Sequence, residues 1–252
     1  MDAISKSETG KAWLRNFEAN DRATARTLLD SLRLINLDEV SEAIYELLEQ
    51  LVAERSGRRR AVAVYAEREF QEKRIFQTQL LRGAKNSAIE RAFGKKGLPP
   101  VKPIRGGVRV GSEGIVSALI AQSVKKHSGI LITTPGPARF RSKRSPIVTD
   151  FIGSGSRLTK MLDKFWNVRT VRSWHSTGLI DFVVIAATAT QDGAAAVSSH
   201  VSRPDVRSSH TIPTMSSSKF EEHHFGWDSL LDKFAEQDPG DDYVWGFLNS
   251  AA

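Results

Sequence analysis

Pro146-Ile147-Val148-Thr149-Asp150-Phe151-Ile152-Gly153-Ser154-Gly155-Ser156-Arg157-Leu158 is the stretch whose reading decides the fold. An apolar run ends in an acid and a loop of small residues follows. Leu158, Met161, Leu162 and Phe165 then recur at helical spacing. The order is strand, small-residue loop, helix. Gly153 and Gly155 let backbone N–H groups approach an anion, and the start of a helix adds a favourable partial charge. Ser154 and Ser156 bring hydroxyl donors for phosphate oxygens. Asp150, at the carboxyl end of the strand, faces whatever the loop holds and can accept from sugar hydroxyls.

A second stretch of the same kind lies upstream. Val108-Arg109-Val110 is followed by Gly111-Ser112-Glu113-Gly114, and Ile115, Leu119, Ile120 and Val124 then keep helical spacing. By itself Gly-Ser-Glu-Gly reads equally as a plain turn; its distance from Asp150 fits one intervening helix and strand. Gly129 to Ile132 is a candidate strand, and Thr133 to Ser145 a loop with Arg139, Arg141, Lys143 and Arg144 concentrated in it. Ile180 to Ala187 is the most continuous apolar run. Its lack of alternation predicts a strand buried on both faces of a parallel sheet. The Thr188–Gly193 segment after it reads as a loop at a strand's carboxyl end, where ligands of open α/β sheets collect. Asp192 is a candidate there, with a turn-forming Asp-Gly as the plainer reading.

Ahead of these units the spacing is mostly helical. Trp13, Leu14 and Phe17 share one face, and Ala25, Leu28, Leu29 and Leu32 another. Asn36-Leu37-Asp38-Glu39 has the pattern of a capping box before Val40, Ile44, Leu47, Leu48 and Leu51. Ala61 to Tyr65 is a short strand-like run, and Glu67 to Leu81 returns to helical spacing. Gly97-Leu98-Pro99-Pro100 interrupts periodicity. The expected organisation is a helical region over 1–100, an α/β core over 101–200, and an irregular arm with short helices over 201–252.

Bulk composition narrows the chemistry. The chain has 252 residues, no cysteine, 40% hydrophobic residues, and 36 Lys and Arg against 29 Asp and Glu, a net charge of +7. Without cysteine there is no disulfide, thiolate nucleophile or thiolate metal site. No apolar run is long enough to span a bilayer, and no charged-then-apolar signal region opens the chain, so a cytoplasmic protein without membrane contact is expected. The pI of about 9.7 favours anionic partners, with a merely solubilising charge at even odds. Basic residues concentrate over 55–105, including Arg58, Arg59 and Arg60. Either this is a solvated face or it binds nucleic acid. In the first case, replacing those three arginines with alanine leaves nucleic-acid retention and its salt dependence unchanged. His210, His223 and His224 lack companions at ligand spacing, and no transition-metal site is assigned.

The Asp150 stretch resembles the 5-phosphoribosyl-1-diphosphate (PRPP) motif of type I phosphoribosyltransferases: a hydrophobic strand, two acids, two variable residues and a small-residue phosphate loop. It is most similar to the divergent branch found in bacterial conflict, or anti-phage, systems, over roughly residues 101 to 200. It departs at Thr149, where the first acid of the pair stands in the family, and at Arg157, where the loop carries threonine or serine. The resemblance implies an α/β fold with a phosphoribosyltransferase-like core, a mainly parallel sheet flanked by helices. It also implies roles. Gly153, Ser154, Gly155, Ser156 and Arg157 hold the 5-phosphate, and Asp150 takes the ribose hydroxyls. Gly111, Ser112 and Gly114 receive the diphosphate beside Glu113, a second candidate catalytic acid. Arg139, Arg141, Lys143 and Arg144 form a closing basic loop, and Asp192 contacts base or acceptor. Mg²⁺ is held mainly through the substrate's diphosphate.

The implied activity is ribosyl transfer, or cleavage of a nucleotide's base from its sugar, on PRPP or a nucleotide. A defence effector is the implied setting. The alternative is a catalytically inactive, nucleotide-sensing or nucleic-acid-associated module of a defence complex such as a retron. A partner-binding protein with a vestigial loop is the third class.

Overall fold

Ser7 and Asn36 start the helices of the amino-terminal third. The computed structural model describes residues 3–32, 35–54, 61–69, 71–82, 88–94, 97–98, 112–140 and 144–212. Ser7 accepts from the Gly10 N–H at 2.9 Å to open α1 (Glu8–Leu14). Together with α2 (Arg22–Ser31) it closes a small cluster around Leu14, Ala25 and Leu29. At α3 (Leu37–Ala53) the Asn36 side chain accepts from the Glu39 N–H at 2.9 Å and donates to its carboxylate at 2.9 Å. The first is the N-cap bond the Asn-x-x-Glu spacing predicts, worth about 1 kcal/mol, and the second ties the two side chains together.

The chain then continues through β1 (Val62–Ala66), β2 (Thr78–Arg82), β3 (Ala88–Ala92), α4 (Ser112–Lys126), β4 (Leu131–Thr133), α5 (Pro137–Phe140), β5 (Arg144–Ile152), α6 (Ser156–Trp166), α7 (Arg169–Ser176), β6 (Asp181–Thr190), α8 (Gln191–Ser198) and β7 (Asp205–Ile212). Five strands form one sheet in the order β4-β1-β5-β6-β7, and each pairing is parallel. β2 and β3 form a separate antiparallel ladder. The architecture is the expected one: an α/β sheet flanked by helices, after a helical amino-terminal region.

Alternation along the strands assigns the two faces. Val62, Val64 and Ala66 of β1, with Val183, Ile185 and Ala187 of β6, pack against Ile44, Leu48 and Leu51 of α3 and Leu119 and Ile120 of α4. Ala63 and Tyr65, with Phe182, Val184 and Ala186, face Leu158, Leu162 and Phe165 of α6 and Val171 of α7. Every β6 residue after Asp181 is buried, which explains why its sequence does not alternate in polarity. Phe165 stacks on Phe140 with ring centroids 5.5 Å apart, and Tyr65 meets Phe165 edge-on at 5.0 Å. The Tyr65 hydroxyl donates to the Pro135 carbonyl at 2.7 Å, and burial pushes its pKa well above the ordinary value.

Four local expectations are corrected. The Ala61–Tyr65 run, placed in the helical region, becomes β1 inside the sheet, so the sheet draws on both sides of the break near residue 100. The helix expected from Glu67 to Leu81 does not form among the described residues there; Ile75 and Phe76 bury as core plugs and the chain enters β2. Leu80 is 73% exposed, so the apparent helical stripe is no face at all. The Thr188–Gly193 loop is the end of β6 running directly into α8, and the irregular arm expected after residue 200 contains β7. Residues 108–110 and 213–252, with the short helices expected there, lie outside the described residues, as do Arg58, Arg59 and Arg60.

At the amino ends of the strands, Glu54 accepts from Arg144 of β5 at 2.7 Å and from Arg207 of β7 at 2.6 and 3.0 Å. Arg207 first, and Arg144 second, lower the Glu54 pKa to about 2 from 4.5. A depressed carboxyl stabilises the fold above its unfolded pKa and loses that contribution as pH falls through its folded one. Solvent screening of this half-exposed cluster keeps the contribution near about 1 kcal/mol. Glu54→Gln is therefore expected to lower the melting midpoint at neutral pH, with the gap to wild type closing as pH drops from 4.5 toward about 2. A gap that persists in acid would assign the loss to packing instead.

Candidate functional site

The turn from β5 into α6 is built on two close backbone approaches. Gly155, the residue before α6, has φ +75°, a left-handed conformation that side chains other than glycine's resist. The Thr190 hydroxyl, at the end of β6, donates to the Gly153 carbonyl at 2.6 Å and accepts from the Gly193 N–H at 2.9 Å. One hydroxyl thus caps α8 and braces the 153–156 turn. A Cβ on Gly193 would lie 1.8 Å from the Gly153 oxygen, and one on Gly155 would lie 2.8 Å from both the Gly193 oxygen and Val197 Cγ2. Ser154 and Ser156 stay exposed, with Ser154 Oγ accepting from the Ser156 N–H at 3.4 Å.

This turn floors an open cleft of about 400 Å³, whose other walls include Glu67, Ser112, Asp150 and Phe151. The place has a topological cause. β1 pairs with β4 on one side and β5 on the other, so successive connections leave in opposite directions and open a crevice at the carboxyl ends of the strands. Glu67 follows β1, Asp150 lies near the end of β5, and Ser112 begins α4.

Glu67 is the residue that sequence reading missed. It is 3% exposed, and its backbone N–H donates to the Val148 carbonyl at 2.8 Å. The Arg157 guanidinium grips its carboxylate with both arms, Nε to Oε1 at 2.9 Å and Nη2 to Oε2. Thr149 Oγ1 lies 3.3 Å from Glu67 Oε2 and 3.3 Å from Asp150 Oδ1, within donating range of either. The Glu67 hydrogen bonds raise the Arg157 pKa, and Glu113 and Asp150 add to the shift. Burial lowers the Arg68 pKa, opposed by Glu113 and Glu72. The acids Glu67, Asp150 and Glu113 and the guanidinium groups of Arg157 and Arg68 thus share this end of the sheet. The missed signal was an acid placed directly after a fully apolar strand; its helical reading hid it.

Other expected residues divide. Asp150, Gly153, Ser154, Gly155, Ser156, Arg157 and Ser112 line one cleft. Glu113 and Gly114 occupy the first turn of α4 beside it. Gly111, Arg141 and Lys143 lie outside the described residues. Arg139 is exposed on α5. Arg144 is corrected: it begins β5 at the end of the strand away from the turn and pairs with Glu54, so it cannot close over the cleft. Asp192 is exposed in the first turn of α8, on the same side of the sheet's edge as the turn that Thr190 braces. The strand expected at 108–110, leading into the diphosphate loop, lies outside the described residues. Among the described residues, the sheet strand before α4 is β1, and Glu67 follows it.

A model of one protein family, PRTase-CE, matches residues 11–244. No curated protein matches the chain in sequence.

Proposed function

The chain belongs to the PRTase-CE family, a phosphoribosyltransferase-like domain, and from that premise we propose that it binds PRPP or a nucleotide and acts on the ribosyl bond. The reaction is either transfer of the phosphoribosyl group or cleavage of base from ribose phosphate, in an effector of bacterial anti-phage defence. The carrying observation is the glycine–serine turn at 153–156, braced by Thr190 and opening into a cleft with Asp150 on its wall. The defence setting is supported by the motif's similarity to the conflict-system branch.

In this reading the bond from the anomeric carbon to its leaving group breaks with the electron pair going to diphosphate or base. The oxocarbenium-like centre is captured by an acceptor nitrogen or by water, which gives up a proton. The protein's part is to hold rather than attack. The 153–156 backbone and hydroxyls hold the phosphate at the start of α6, and Arg157 adds charge. Asp150 orients the sugar hydroxyls and offsets positive charge at the ring. Glu113, on the first turn of α4, is the base for an incoming water or acceptor. Asp192 lies where base or acceptor would enter.

Mg²⁺ fits this site as a companion of the diphosphate. Among the described residues no three acidic or histidine side chains gather as a metal cage, while Asp150 and Glu113 both act on Arg157 from nearby. Oxygens of the ligand's diphosphate and of water would hold the ion, the coordination this cation prefers, with the two carboxylates adding negative charge nearby. When bound it supplies neutralisation of the leaving diphosphate. The basic 55–105 segment is proposed to contact nucleic acid or a partner in a defence complex.

A second reading, binding without turnover, is favoured by Thr149 at the position of the family's first acid. Incubating the purified protein and Mg²⁺ with PRPP and a nucleotide mixture separates the two. Consumption of PRPP or of one nucleotide is expected. A raised melting midpoint with every compound intact would make the protein a sensor, and neither effect would end both readings.

A further inference from the structure

We infer that Glu67 is the cleft's second sugar-hydroxyl acceptor, partnering Asp150, and that the pair makes the site select ribose over deoxyribose phosphates. This rests on the phosphate reading of the 153–156 turn and specifies its ligand. Position 149 is where a second acid would stand on the same strand, but Thr149 is buried there and its hydroxyl lies 3.3 Å from Glu67 Oε2. The carboxylate reaches the spot from the neighbouring strand instead. Register makes this possible: Ala66 pairs with Val148, and the Glu67 N–H donates to the Val148 carbonyl. Glu67 is thereby set level with the Thr149–Asp150 step.

The chemistry follows from acceptor capacity. A carboxylate offers about four acceptor sites on its two oxygens. Glu67 Oε1 takes Arg157 Nε, and Oε2 takes Arg157 Nη2 with Thr149 within range. Acceptor capacity therefore remains on Oε1, in a residue that lines the cleft. A nearly buried carboxylate is costly unless its charge is offset, and Arg157 provides that offset while keeping the group from turning away. Glu67 Oε2 and Asp150 Oδ1 each lie 3.3 Å from the Thr149 hydroxyl, so the two carboxylates border one short gap in the cleft. A cis-diol spans such a gap with one hydroxyl donating to each side. A phosphorylated ribose has that diol; its 2-deoxy and 3-deoxy forms each lack one donor and leave a charged acceptor unpaired.

Calorimetric titration of inorganic phosphate, ribose 5-phosphate and its 2-deoxy and 3-deoxy forms tests this on wild type, Glu67→Gln and Asp150→Asn. Wild type is expected to prefer ribose 5-phosphate over each deoxy sugar by about 10- to 100-fold, the loss of one charge-assisted hydrogen bond. Glu67→Gln should erase one of the two preferences and Asp150→Asn the other, with phosphate binding retained. A merely structural Glu67 would weaken all ligands together and leave the ratios alone. Both preferences surviving Glu67→Gln, or neither existing in wild type that binds phosphate, overturns the assignment of Glu67. Wild type that binds neither phosphate nor ribose 5-phosphate overturns the phosphate reading itself. Should Glu67→Gln not fold, Glu67→Asp, which keeps the charge but withdraws it by one methylene, is scored on the same ratios. Loss of one preference is expected there too, and its survival counts against Glu67.

Discussion

Asp150→Asn is expected to lower turnover of PRPP or nucleotide by about 100- to 1,000-fold, the usual cost of removing one placed electrostatic contact from a reacting centre. Phosphate affinity is expected to hold. The substitution is nearly isosteric, and the Asp150 carboxylate meets the Thr149 hydroxyl at 3.3 Å. It stands on the cleft wall apart from the hydrogen bonds that shape the 153–156 turn. Removing its charge therefore subtracts from sugar and transition-state recognition while the cup stays intact. Steady-state kinetics beside phosphate titration reads both quantities. A variant that turns over normally would move the chemistry elsewhere in the cleft, to Glu113 first.

Gly193→Ala should have a large structural effect, because it fails at a backbone rather than at a mobile side chain. The new methyl would sit 1.8 Å from the Gly153 carbonyl oxygen and 2.8 Å from Thr190 Oγ1. Relief requires pushing the 153–156 turn away from α8, which breaks the Thr190 bridge as well. The expected cost is about 3 kcal/mol of stability together with loss of phosphate binding. Gly129→Ala is the control: its φ of +81° strains the backbone, but nothing stands within 4 Å of the added carbon. It should cost about 1 kcal/mol and leave ligand affinity untouched. Equal ligand affinity in the two variants would separate the turn from phosphate binding.

Much of the sheet was legible because its burial is simple. The Ile180–Ala187 run and the Pro146–Val148 run lie between two helical layers, so they are rich in apolar residues and announce themselves. The turn after β5 was legible for a different reason: its glycines are demanded by backbone approach and a left-handed φ, which few other contexts require. Helix α3 was marked by its own cap. Long-range partnership hid the rest. Nothing local distinguishes β1 from a strand-like stretch in a helical region; its place in the sheet comes from pairing with Leu131–Thr133 and Arg144–Val148. Ile75 and Phe76 mimic a helical stripe because both are needed in the core, not because they share a helix face. Arg144 lost its proposed role to a carboxylate 90 positions away. Glu67 gained one by the same route, since its meaning depends on Arg157, also 90 positions distant.

Placement of a sugar-borne phosphate on the 153–156 turn is tested most directly by following backbone amide resonances during titration with ribose 5-phosphate. Saturable shifts are expected at Gly153, Ser154, Gly155, Ser156 and Arg157, with a smaller response at Gly193 through the Thr190 bridge. Saturable binding that leaves those amides unmoved, or no binding at all, would contradict the account.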